Sequence, residues 1–216
     1  MINKIKEIVR SILTEEQQEN KDKIIIIDPE SLGEAAGTPE PDMRIVGMFC
    51  EVVDEKVAEV VHAMLYLNEV NKAQPSDKRR PIDFYISTYG GNADDMFALY
   101  DIMKQIQEET EIHTIGVGKV MSAGVPLLAA GTKGKRRIGK NCRVMLHSVV
   151  AGNHGPIHNL INEMEAVEQI QKMYINCLVS ETNMTKKDVK KMLERNVNVY
   201  LSAEEAVELG IADIIV

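Results

Sequence analysis

Apolar and polar residues along this chain fall into blocks whose period switches between helix-like and strand-like. At the N-terminus Ile2, Ile5, Ile8, Val9, Ile12 and Leu13 recur at helical spacing, while Lys4, Lys6, Glu7 and Arg10 take the other face. That pattern predicts a short amphipathic helix suited to packing on a partner subunit. A polar stretch from Glu15 to Lys23 leads into Ile24-Ile25-Ile26-Ile27, a β-branched run suited to a strand. The Gly- and Pro-containing segment from Glu30 to Asp42 then reads as a loop.

From Arg44 the alternation becomes regular. An apolar strand through Phe49 precedes a helix around Val57 to Asn71, a loop with Pro75 and Pro81, and a strand at Ile82 to Ser87. A helix near Ala93 to Gln107, a strand from Ile112 to Val117, a short helix after Ser122 and a strand at Arg143 to His147 continue the series. Such βαβ repetition predicts an α/β fold with a mainly parallel sheet and crossover helices. A long helical stretch runs from about Ile157 to Val179, with Leu160, Ile161, Met164, Val167 and Ile170 at helical spacing. Further helices start at Thr185 and at Ser202, where Ser202-Ala203-Glu204-Glu205 has the form of a capping box. No internal repeat or low-complexity tract interrupts this order.

Composition narrows the classes. The chain has 216 residues, 44% hydrophobic and 27% charged, enough for one soluble domain with a full core. Asp plus Glu number 33 against 25 Lys plus Arg, a net charge of -8, so the average field repels phosphates and argues against nucleic acid. The three cysteines, Cys50, Cys142 and Cys177, form no close pair, which leaves metal and disulfide readings without support and suits a reducing cytoplasm. No apolar run reaches the roughly 18 residues of a bilayer span, and the N-terminus lacks a signal-peptide core. The expectation is therefore a cytoplasmic protein with no cofactor, no metal and no membrane contact.

Three features are candidates for chemistry. Ser122, in Gly118-Lys119-Val120-Met121-Ser122-Ala123-Gly124, falls between a β-rich segment and an Ala-rich helix, where free N–H groups favour an anion. The α/β-hydrolase elbow G-x-S-x-G is not met, because Val120 holds the first Gly position. A plain helix N-cap is the competing role for this serine. His147 closes the run Val144-Met145-Leu146-His147 and is either a satisfied edge residue or a general base. Gly90-Gly91 follows a predicted strand and is either a turn needing positive φ or a close backbone approach to a substrate oxyanion.

Taken in order, Ile86-Ser87-Thr88-Tyr89-Gly90-Gly91, Val117 to Gly131, Gly134-Lys135-Arg136, Val144-Met145-Leu146-His147 and Leu201 to Asp213 resemble the ClpP family, the proteolytic subunits of ATP-dependent Clp protease. The resemblance covers residues 44–216 and leaves residues 1–43 as a divergent N-terminal segment without the family's axial-loop pattern. It implies an α/β spiral of βαβ units, ClpP- or crotonase-like, with a protruding handle helix beginning near Ile157. It also implies Ser122 as nucleophile, His147 as base, and the N–H groups of Gly91 and Ala123 as the oxyanion hole. Implied partners are further copies of the chain in two stacked heptameric rings, an AAA+ unfoldase of ClpX or ClpA type, and polypeptide substrates. No G-x-x-x-x-G-K-[ST] phosphate loop occurs, so ATP hydrolysis would reside in that separate partner.

The third triad member departs from the family. Where the family has an aspartate before Leu-Ser-Ala, this chain reads Glu194-Arg195-Asn196-Val197-Asn198-Val199-Tyr200-Leu201. Matching the Glu-Arg pair selects Asn196, the preferred choice, whereas counting back from Leu201 without a gap selects Asn198. Either amide orients an imidazole without stabilising its positive charge, and in another serine peptidase the Asp-to-Asn change costs about 10⁴ in turnover. Glu194 is a candidate source of the missing charge. The family's Pro before Gly-Gly is Tyr89 here, its Met after the nucleophile is Ala123, and its Gln-Pro after the base is Ser148-Val149.

Three functions follow. The first is an ATP-dependent Clp-type serine endopeptidase subunit with a Ser-His-Asn site. The second is a catalytically weak ring subunit that assembles with or modulates an active peptidase. The third is a crotonase-type acyl-CoA enzyme, which accounts for the Gly pair but not for Ser122 and His147.

Overall fold

The computed structural model describes residues 43–194 and 197–216. The helix, strand and loop expected before Met43 lie outside the described residues, as does Asn196.

The described chain is an α/β structure. Strand β1 (Ile45–Met48) is followed by helix α1 (Asp54–Lys72), a short 3₁₀ turn (Ser76–Lys78) and β2 (Ile82–Thr88). Next come α2 (Ala93–Ile106), β3 (Ile112–Met121), α3 (Gly124–Ala129), β4 (Arg137–Ile138) and β5 (Arg143–Leu146). The chain ends with α4 (Ile157–Glu181), α5 (Lys186–Leu193), β6 (Val199–Leu201), α6 (Ala203–Glu208) and β7 (Ile214–Ile215).

The sheet runs β1-β2-β3-β4-β7, and every pairing along it is parallel. Strand β3 forks. Its first half pairs with β4 through Ile115 and Gly116, and its end pairs with β5 through Lys119, Val120 and Met121. The fork originates in a bulge, because Ile86 faces Gly116 but Thr88 faces Val120, so β3 carries two extra residues there. Gly118 lies in that bulge at φ +68°, a conformation glycine adopts without steric cost.

Periodicity explains the packing. In β2 the residues Ile82, Phe84, Ile86 and Thr88 are buried while those between them are half-buried, as expected of a central strand covered on both faces. Met64 of α1, Leu99 and Met103 of α2, Leu127 and Leu128 of α3 and Leu178 of α4 close over the sheet. Asn92 caps α2, its side chain accepting the N–H of Asp94 at 2.7 Å and of Asp95 at 3.2 Å. Thr185 with Asp188 and Ser202 with Glu205 form capping boxes at the starts of α5 and α6.

Helix α4 is divided by burial. No residue from Ile157 to Met173 is buried, whereas Tyr174, Ile175, Cys177, Leu178 and Glu181 are. Its C-terminal end is anchored by ions. Arg136 donates to the Glu181 carbonyl at 2.6 Å, to the Ala129 carbonyl at 3.1 Å and to both carboxylate oxygens of Asp213 at 2.5 and 2.9 Å. The Glu181 carboxylate accepts the Tyr100 hydroxyl at 2.7 Å and lies 3.1 Å from Lys104 Nζ. Burial pushes the Glu181 carboxyl up, but these hydrogen bonds and the lysine charges outweigh it and hold it below the ordinary carboxylate value.

Several boundaries differ from the sequence expectation. Helix α1 starts three residues early, at Asp54 and Glu55, acidic residues that favour a helix N-terminus. Strand β3 continues past the bulge to Met121, which brings it directly to Ser122. Strand β5 ends at Leu146 and leaves His147 one residue beyond it. Strands β4, β6 and β7, two or three residues each, were not expected, since so short a run carries no readable period.

Candidate active site

Ser122 stands between the end of β3 and the start of α3 with φ +53°, the one non-glycine residue of positive φ among those described. The left-handed region costs an L-residue about 1–2 kcal/mol and persists only where neighbours impose it. Three hydrogen bonds do so here. The Ser122 N–H donates to the Met145 carbonyl at 2.8 Å, which continues the β3–β5 ladder by one residue. Its carbonyl accepts the Val125 N–H at 3.0 Å and the Tyr174 hydroxyl at 3.2 Å. With its backbone fixed on both sides, Ser122 lines the groove. The N-cap role is corrected: the residue before α3 is Ala123, in right-handed geometry, and no side chain caps the helix.

The bulge in β3 decides what stands beside the serine. Because Thr88 pairs with Val120, Gly90 falls next to Ser122, so closely that a Cβ on Gly90 would lie 2.6 Å from the Ser122 Cβ. Gly90 has φ +104°, and its N–H donates to Thr88 Oγ1 at 3.0 Å. Gly91 forms a parallel bridge with Val52, in which the Val52 N–H donates to Gly90 and the Val52 carbonyl accepts from Asn92, both at 2.8 Å. In such a bridge the N–H of the middle residue points away from its partner strand. A Cβ on Gly91 would lie 2.2 Å from the Val52 carbonyl oxygen, so this approach requires glycine. Among the described residues the N–H groups of Gly91 and Ala123 have no hydrogen-bond acceptor.

His147 is half-buried, one residue past β5. Its Nδ1 lies 2.5 Å from the Ser148 carbonyl oxygen. A carbonyl only accepts, so Nδ1 carries the proton and the neutral ring presents Nε2 as the acceptor. No hydrogen bond joins His147 to Ser122 among the described residues, and catalytic bonds of this kind commonly tighten only on substrate binding.

Strand β6 bears on the choice of amide. It pairs antiparallel with β5, Val144 facing Leu201, Met145 facing Tyr200 and Leu146 facing Val199. His147 directly follows β5 and Asn198 directly precedes β6, so both stand just beyond the last pair of this ladder. Glu194 is exposed at the end of α5 and shares a surface hollow with Lys186, Lys187, Lys190 and Lys191, separate from the serine groove.

Gly91, Ser122, Ala123 and His147 all line one groove of about 440 Å³. Its other walls include Tyr89, Asn92, Asp94, Met96, Val149, Val150, Val167, Ile170 and Tyr174. Asp94 is the sole carboxylate among these lining residues, and no lysine or arginine joins it. Lys119 Nζ instead sits 4.5 Å above the ring of Tyr89, at the groove edge. Sequence reasoning did not single out Tyr174 or Asp94. Val167, Ile170 and Tyr174 follow one another at spacings of three and four, so the helical period was the available signal for the former.

The described residues hold no cluster of His, Cys, Asp and Glu able to bind a metal ion, and no helix among them is long and apolar enough to cross a membrane.

Known proteins resemble this chain over most of its length. The chain is 30% identical over 191 residues to the ATP-dependent Clp protease proteolytic subunit 2 of Frankia casuarinae, covering 87% of this chain and 83% of that protein. It is 30% identical over 171 residues to proteolytic subunit 1 of Thermobifida fusca, covering 79% and 72%, and to proteolytic subunit 2 of Corynebacterium jeikeium, covering 79% and 77%. The family model for Clp protease matches residues 41–216, the same span that contains the forked sheet, the strained serine and the groove, and the chain therefore belongs to the Clp protease family.

Proposed function

We propose that this chain is a serine endopeptidase subunit that cleaves unfolded polypeptides. The observation that carries this reading is the convergence of Ser122, His147 and two acceptor-free N–H groups, those of Gly91 and Ala123, on one groove. In the forward step Ser122 Oγ attacks the peptide carbonyl carbon while His147 Nε2 takes the hydroxyl proton. The carbonyl oxygen gains negative charge and is met by the N–H groups of Gly91 and Ala123. His147 then gives its proton to the departing amine, leaving an acyl-enzyme that water hydrolyses by the same path in reverse.

The amide that orients His147 is Asn196, preferred on the match of the Glu-Arg pair, with Asn198, just before β6, as the alternative. The Ser148 carbonyl supplies the acceptor that fixes the imidazole tautomer. Neither group brings a negative charge, so the imidazolium formed during attack is less stabilised than beside an aspartate.

The names of the relatives support further parts of the reading. They are named proteolytic subunits of an ATP-dependent protease, which supports assembly of this chain into a larger complex, and the arrangement we propose is two stacked heptameric rings of its copies. The exposed first half of α4 is the element available for contact between rings. An AAA+ unfoldase of ClpX or ClpA type would supply unfolded substrate, in the cytoplasm. Residues 1–43 form the divergent segment and 44–216 the peptidase domain. The comparisons lend no support to the acyl-CoA reading.

The amide in place of the triad aspartate favours one second reading, a catalytically weak ring subunit. Intact-mass measurement after treatment with a fluorophosphonate separates the two. A single adduct on the wild-type chain that is absent from Ser122→Ala is the expected result. A folded wild-type protein that takes up no adduct would replace the peptidase by the weak subunit.

A further inference from the structure

Tyr174 stands on α4, far in sequence from the nucleophile, yet its ring lines the groove and its hydroxyl donates to the Ser122 carbonyl oxygen at 3.2 Å. The side chain is 5% exposed, so this contact is made inside the protein. We propose that Tyr174 is a positioning residue for the oxyanion hole, holding the Ser122–Ala123 peptide so that the Ala123 N–H points into the groove. This inference rests on the peptidase reading above.

The covalent geometry supplies the link. The carbonyl of Ser122 and the N–H of Ala123 belong to one planar trans peptide, so they point in opposite directions and turn together. A hydrogen bond that fixes the oxygen therefore fixes the direction of the N–H. The Val125 N–H also bonds this oxygen, at 3.0 Å, but it comes from the first turn of α3 and moves with the same segment. Tyr174 is the donor that ties the peptide to a separate element. That element is itself held in place, because Arg136 and Lys133 bond the Glu181 carbonyl near the end of α4.

The tie matters because Ser122 is held at φ +53°. The left-handed backbone persists only where neighbours impose it, and any rotation of the following peptide carries the Ala123 N–H away from the oxyanion. A donor on the carbonyl also polarises the amide and makes its N–H a stronger donor, by roughly 10–30% per bond. Burial pushes the Tyr174 phenol up, so the hydroxyl keeps its proton wherever His147 acts as a base.

The full chain is assayed on a small fluorogenic peptide as wild type, Ser122→Ala, Tyr174→Phe and Tyr100→Phe. Tyr174→Phe is expected to lower kcat about tenfold, a fraction of the loss on removing an oxyanion donor outright, with KM within about twofold. Affinity for a peptide aldehyde, whose hemiacetal oxyanion uses the same N–H groups, should fall in parallel. Tyr100→Phe removes a half-buried hydroxyl that bonds the Glu181 carboxylate away from the groove and should leave kcat unchanged. Replacing Tyr174 by 4-aminophenylalanine, which restores a donor, should recover most of the lost rate.

An unchanged kcat in Tyr174→Phe, a change confined to KM, equal losses in the two Phe variants, or a Tyr174→Phe chain that does not fold would each overturn the inference. A wild type no faster than Ser122→Ala would instead overturn the peptidase reading, and the inference with it.

Discussion

The backbone of Ser122 is strained in a direction that only its neighbours explain, and those neighbours are testable one at a time. Gly90→Ala places a Cβ 2.6 Å from the Ser122 Cβ at a position with φ +104°. The serine must then move or the turn must open, and kcat is expected to fall by at least about 100-fold, the scale of losing one oxyanion donor. Steady-state kinetics of the folded variant check this, and a variant within tenfold of wild type would show that Gly90 does not set the serine. With Asn198 as the third triad member, Asn198→Asp restores a negative charge beside the imidazole. It should raise kcat by about tenfold or more, in the direction of the roughly 10⁴ that separates aspartate from asparagine in another serine peptidase. An unchanged or lower kcat would exclude Asn198 from the triad. At this scale local pattern singled out Ser122, His147 and Gly90-Gly91, each with a plain competing role, and the resemblance assigned their roles and added Ala123. The left-handed serine and the tyrosine behind it depend on contacts between residues 52 positions apart, which no local pattern carries.

Elements show the limits of pattern differently. The long helices and β2 were legible because each repeats its apolar positions over several turns or pleats. Strand β6 has three residues and no such repeat, so its antiparallel pairing with β5 could not be read from spacing. The anchoring of α4 was also invisible, since Glu181 meets Tyr100 and Lys104 of α2 and Lys133 and Arg136 of the loop before β4. Glu181→Gln should destabilise the fold by about 1 kcal/mol near neutral pH, because it removes the charge of a buried carboxylate that faces two exposed lysines and accepts the Tyr100 hydroxyl. That corresponds to roughly 2–4 °C in Tm. The Glu181 carboxyl is held below its ordinary value, so its contribution is complete above the unfolded value, about 4.3, and is lost as pH falls through the folded one. Thermal melts of wild type and variant should therefore differ most at neutral pH and converge in acid. A difference that grows in acid would contradict this assignment.

For the whole molecule, burial makes a statement about reactivity. Cys142 is 2% exposed with its thiol pushed up to about 11, and Cys177 is 6% exposed with its thiol pushed up to about 12, both by burial. Cys50 is half-buried. Iodoacetamide at about pH 8 should thus label Cys50 well before the other two, since the thiolate is the reactive form. Peptide mapping of the alkylated protein reads this directly, and equal labelling of all three would mean a core looser than the one described.

The fold, the groove and the family converge on Ser122, and that residue gives the most direct test. Purified wild type and Ser122→Ala are compared for hydrolysis of a small fluorogenic peptide without ATP, since small peptides need no unfoldase. Hydrolysis by the wild type that disappears in Ser122→Ala is the expected result. Equal rates in two folded proteins would contradict a serine peptidase built on this groove.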